Sequence, residues 1–199
     1  MNDKPHYHPD DINRLFSSVP TLLLNRPAPA ERFLGAIAGT GDTLAHVLRD
    51  YPHVRCAPLD FHYVCQQSLS ALDDALLRDL TRNMNQGWRG AHWAALLIAL
   101  SGDARYLPHL DAVRSHRGVK WAAELAEAAV NASAPLAISP CRVLIVRLRN
   151  QLAQLPRVAV RLRRHSSPED IAAKTSAVRT AYRNGDVATA VAIARRQPA

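Results

Sequence analysis

The run WAALLIAL, residues 93–100, is the longest unbroken apolar stretch in the chain. Wound at about 100° per residue it has no polar side. Over residues 88–100 only Arg89 and His92 interrupt it. A helix that is apolar all round must be covered from several directions. The reading is therefore a central helix wrapped by other helices. A histidine inside such a helix is expected to be buried and hydrogen-bonded rather than a ligand or base, which makes His92 a core residue first.

Downstream, Gly102-Asp103 stops the central helix. Pro108 is placed in the first turn of the next one, with Leu107, Leu110 and Val113 on one side. Gly118 breaks that helix. A clean amphipathic pattern then carries Trp121, Leu125 and Ala128 inward and Lys120, Glu124, Glu127 and Asn131 outward. Upstream, residues 59–84 read as two helices, because Asp73-Asp74 makes a fresh start. A further hairpin is expected from Phe33, Leu34, Ile37 and Ala38, through Gly39-Thr-Gly41, to Leu44, Val47 and Leu48 after an Asp42 cap. Asp10 or Asp11 can cap a short helix carrying Ile12, Leu15, Phe16 and Val19. Residues 1–9 read as a polar arm.

Beyond a linker of small residues at 131–138, Ser139-Pro140 opens a helix to Leu155. After Pro156 the segment RVAVRLRRH alternates apolar residues with arginines. It is extended or a short basic helix. Ser167-Pro168-Glu169-Asp170 is a variant capping box. Asn184-Gly185 ends that helix, and Asp186 caps the last one, whose inner stripe is Val187, Ala190, Val191 and Ala194.

At 199 residues and 48% apolar, with only 8 Gly and 6% aromatics, the chain suits one all-α domain of stacked antiparallel helical hairpins. It divides into the arm at 1–9, a helical-hairpin core at 10–135, and a basic helix with a C-terminal hairpin at 136–199. The run WRGAHWAALLIALSGDARYLPHLDAV, followed by VKWAAELAEAA, resembles HEAT-type helical repeats. Those have an Ala-rich helix, a Gly-Asp turn, a Leu-Pro-x-Leu helix and another Ala-rich helix. Trp93-Ala-Ala and Trp121-Ala-Ala stand 28 residues apart, short for that period. The resemblance implies an α-solenoid-like stack that works as a binding surface. Ala181, Tyr182, Gly185, Asp186 and Ala190 resemble the elbow of a tetratricopeptide repeat, in a single copy.

The formal charge is +8, and Lys occurs only at Lys4, Lys120 and Lys174, so the excess is almost all Arg. Arginine holds phosphates and carboxylates bidentately. Between Glu127 and Glu169 there is no acid at all. Arg142, Arg149, Arg157, Arg161, Arg163 and Arg164 fall in that gap. They are an anion-docking strip, or a solvated rim, or are paired within the chain with acids such as Asp73, Asp74 and Asp79. Few aromatics lie among them, so any nucleic-acid contact is expected to be with the backbone.

Three cysteines, Cys56, Cys65 and Cys141, do not make a disulfide framework. His53-x-x-Cys56 and His62-x-x-Cys65 offer two His and two Cys across a bend at Pro58. That donor set suits tetrahedral zinc, at a spacing unlike common zinc modules. The bland reading is that these residues sit on a buried helix face. No other cofactor is expected. There is no nucleotide-binding loop, GxSxG elbow or HExxH helix. Glu124 and Glu127, with Lys120 beside them, read as solvated surface. The N-terminus lacks an apolar signal core, and an apolar run of eight is too short for a bilayer, so a cytoplasmic location is expected. The expected function is a non-catalytic protein-interaction module of the bacterial adaptor or toxin-neutralising kind, with an acidic partner and no membrane role. The alternative is sequence-nonspecific binding of nucleic-acid backbone through 142–165.

Overall fold

The computed structural model describes residues 5–18, 24–38, 57–82, 84–116, 118–131, 138–155 and 162–195. Among them the fold is all-α. The helices are α1 (Pro9–Ser18), α2 (Pro27–Ile37), α3 (Ala57–Ser70), α4 (Asp74–Thr81), α5 (Met84–Ser101), α6 (Asp111–Arg114), α7 (Lys120–Val130), α8 (Ser139–Gln154), α9 (Pro168–Arg183) and α10 (Val187–Arg195). The expected partner hairpin with Asp42, Leu44, Val47 and Leu48 lies outside the described residues. So do Gly39-Thr-Gly41, Val19, Pro135, His53, Cys56, Arg157 and Arg161. No described helix is long and apolar enough to cross a membrane.

Helix α5 is the centre. Every residue from Ala91 to Leu100 is buried. It is covered by α1, α3, α4, α7 and α8. The closest cover is α7, whose Ala122, Ala123, Ala126 and Ala129 are all buried. Small side chains there let the two helices approach tightly. Trp93 is fully buried and donates its indole N–H to Ser68 Oγ at 3.3 Å. Its ring meets Phe61 edge to face at 6.0 Å, and Phe61 in turn meets Phe33 at 5.2 Å, so one aromatic chain ties α5 through α3 to α2.

Local signals place most helix ends where the pattern puts them. Asp73 caps α4, its carboxylate accepting from Leu76 N at 2.7 Å. Ser167 and Asp170 exchange both bonds of a capping box at α9. Asp186 accepts from Thr189 N at 2.9 Å and caps α10. Pro108 is a departure: Ala104–Leu110 forms a 3-10 helix with Pro108 inside it, and the α-helix after it is only Asp111–Arg114. Pro108 is the fifth residue of that 3-10 helix, past the first-turn position where its missing N–H would go unused.

Several ends are closed by side chains from other helices. Arg149 of α8 donates Nε to Leu100 O at 2.9 Å and Nη2 to Ala99 O, capping α5 with a cation at the negative end of its dipole. Gln66 of α3 donates to Leu152 O at 3.2 Å and Leu155 O at 3.1 Å, closing α8. His62 Nε2 lies 2.9 Å from Ile37 O at the end of α2. His92 is buried, as expected, with Nε2 on Gly118 O.

Gly102 leaves α5 with φ +72°, and a Cβ there would stand 2.8 Å from Arg149 Nη1. Gly102→Ala therefore strains the backbone and pushes the capping guanidinium aside. We predict a loss of about 1–2 kcal/mol from the left-handed conformation alone. A shift of the urea midpoint, with an unchanged helical spectrum at low urea, is the expected measurement.

Candidate interaction surface

The described end of the basic segment, residues 162–165, meets the described part of the N-terminal arm, residues 5–8. His8 N donates to Arg163 O at 2.8 Å, and His165 N donates to His6 O at 2.9 Å. Tyr7 and Arg164 form the antiparallel bridge between them. Three carboxylates from the helical core and its first helix hold this junction. Asp79 Oδ2 accepts from His6 N at 2.8 Å and Tyr7 N at 2.7 Å, while its other oxygen pairs with Arg82 at 3.2 Å. Asp73 Oδ2 takes Arg164 Nη2 at 2.8 Å and lies 3.0 Å from the Tyr7 hydroxyl. Asp11 accepts Arg163 N at 2.7 Å and Arg163 Nη2 at 2.9 Å.

Tyr7 is buried and its ring lies under the Arg164 guanidinium, 4.2 Å from the ring centroid. Burial raises the Tyr7 phenol well above its ordinary value, and the neighbouring Asp73 carboxylate raises it further. Burial pushes the Asp11 carboxyl up, but the hydrogen bonds and charge of Arg163 outweigh it and hold Asp11 below the usual carboxylate range. Sequence reasoning gave Tyr7 no role. Its partners are tens of residues away, and no local pattern announces them.

The structure thus brings Arg163 and Arg164 together, each on an acid of the same chain. Arg149 sits elsewhere, at the end of α5, and shares no partner with them. Arg142 lies half-buried in the first turns of α8. His109, which the sequence reading left aside, pairs with Asp74 at 2.8 Å. On α3, His62 and Cys65 are both buried. Burial lowers the His62 imidazole and raises the Cys65 thiol well above its usual value, so these two are neutral at pH 7.

Beyond the junction, α9 and α10 pack on each other, with no extensive packing on any other described helix. Helix α9 buries no residue, and α10 buries only Ala190. Ile171 at 55%, Tyr182 at 67%, Val187 at 53% and Val191 at 41% exposure stand in solvent. On α9, Ile171, Val178 and Tyr182 recur at helical spacing along one stripe. On α10, Val187 and Val191 do the same. A cleft of about 620 Å³ runs along the pair, lined by Ala173, Ala177, Thr180, Asn184 and Thr189. Lys174, Arg179, Arg183 and Arg195 are the cations of these two helices.

No family model, curated protein or solved structure matches this chain.

The depressed Asp11 carboxyl gives the junction a pH dependence of known sign. Its contribution is full above the ordinary aspartate range and is lost as pH falls through the lower folded-state value. We predict that the Arg163 amide resonance stays constant from pH 7 down to that range and moves only below it. Asp11→Asn should remove the transition.

Proposed function

We propose that the protein is a non-catalytic helical interaction module that docks a protein partner with an acidic face. The supporting observation is the α9–α10 hairpin, which packs on itself and leaves Ile171, Tyr182, Val187 and Val191 exposed. Apolar side chains gathered on one element and rimmed by polar and charged groups mark surfaces of association. Arg142, Arg157 and Arg161, with the half-exposed side chain of Arg163, supply further positive charge in this reading. Of the strip residues, Arg164 holds Asp73 and Arg149 lies apart at the end of α5, so the described ones form no continuous track for a nucleic-acid backbone, which favours a protein partner. The module fits a cytoplasmic adaptor or a toxin-neutralising protein of bacterial type.

Ile171→Asp with Tyr182→Asp changes only exposed positions, so helical content should be preserved. Capture of the partner from the native organism's lysate should fall at least tenfold. Capture equal to wild type rejects the reading. Arg142→Ala, Arg157→Ala and Arg161→Ala together spare Arg163, Arg164 and the three carboxylates of the arm junction. They should weaken partner capture but leave no duplex-binding signal to lose. Salt-dependent binding of two unrelated duplexes by wild type, abolished in this variant, would favour the nucleic-acid alternative.

A further inference from the structure

A second feature is independent of the hairpin. A cleft of about 590 Å³ opens where α3, the end of α5 and the end of α8 converge. Its walls are Leu69, Leu72, Leu100, Leu152 and Leu155, and Arg149 lines it. The volume falls in the range of small-molecule sites, which are mostly apolar with a few placed polar groups.

Arg149 is the unusual member. It is half-buried, yet no carboxylate of the chain pairs with it among the described residues. Its two bonds go to the Leu100 and Ala99 carbonyls. A guanidinium has more N–H donors than those two bonds use. The helix end offsets only part of a unit charge. Gly102, against which the guanidinium lies, has no side chain to shield it. The other polar groups nearby are already committed: Ser70 Oγ donates to Gln66 O, and Ser101 Oγ donates to Ile98 O. Gln66 Nε2 donates to the Leu152 and Leu155 carbonyls, so among the described lining residues the cation is the group with donors to spare. Desolvation by burial lowers the Arg149 guanidinium below its ordinary value, a cost that a bound anion would relieve.

We propose that this cleft binds an organic carboxylate on an aliphatic body, the carboxylate on the open N–H groups of Arg149 and the chain against the leucines. Two sources present this chemistry, a free medium-chain carboxylate and the C-terminal carboxylate of an apolar peptide.

The test follows leucine methyl resonances during titration with octanoate, its neutral isostere octanamide, and hexanoate. Octanoate should shift the methyls of Leu69, Leu72, Leu100, Leu152 and Leu155 saturably. Octanamide should bind at least tenfold more weakly, and hexanoate roughly tenfold more weakly for two lost methylenes. Ala153→Trp fills the cleft from an exposed position of α8 and leaves the Arg149 cap alone. It should abolish the octanoate shifts, and Ser70→Phe, on the opposite wall, should do the same. N-acetyl-dileucine against its C-terminal amide repeats the comparison for a peptide end, and the tighter carboxylate identifies the source. The proposal is overturned if octanamide matches octanoate, if both filling variants fold and bind octanoate within twofold of wild type, or if neither carboxylate gives a saturable shift.

Discussion

The carbonyls of Ala99 and Leu100 end a helix whose whole preceding turn is buried, and Arg149 reaches them from α8. That contact expresses the constraint on the whole fold. A helix with no polar face must be surrounded, and whatever surrounds it also shuts water away from helix ends. The last carbonyls of a helix have no partner within it. Buried without one, each costs about 1–3 kcal/mol. The chain answers with long polar side chains sent across from neighbouring helices: Arg149 to α5, Gln66 to α8, His62 to α2. Each of these residues reaches a carbonyl at the end of a helix other than its own. Each therefore fixes where one helix ends relative to another, which nonspecific packing of leucines and alanines leaves loose.

This arrangement explains which parts of the structure were legible in the sequence. The central helix, the fresh start at Asp73, the capping box at Ser167 and the cap at Asp186 are all written within a few residues of where they act. Propensity, capping and apolar period suffice for them. The arm junction is written in no such local code. Asp11 and Arg163 are 152 positions apart, and Tyr7 and Asp73 are 66. Arg149 shows the same limit from another side. Its spacing from Arg142 places both on one edge of α8, but an acceptor some 50 positions away determines what its side chain does. Pro108 misled because its first-turn preference does not separate an α-helix from a 3-10 turn, and seven residues of the latter fill the space.

The residues that carry the HEAT resemblance form α5, the Gly102-Asp103 stop, a short helical turn with Leu107 and Leu110, and the alanine-rich α7. In a solenoid each repeat touches only its neighbours in sequence. Helix α5 instead meets α1 and α8 as well as α4 and α7. Its lack of a polar face is the reason. A repeat helix needs one side free for the concave or convex surface, and residues 91–100 offer none.

Charge follows the same division of labour. Asp11, Asp73 and Asp79 are drawn into the junction, and each holds a backbone N–H as well as an arginine. A carboxylate so engaged is a poor counter-ion for anything else, because its oxygens are aimed and its charge already matched. Where the remaining arginines meet water, their charge is screened to an effective range of about 8–10 Å. At that range it selects the sign of an approaching partner without determining its pose. Pose has to come from shape and apolar contact, and the α9–α10 hairpin leaves Ile171, Tyr182, Val187 and Val191 uncovered for it.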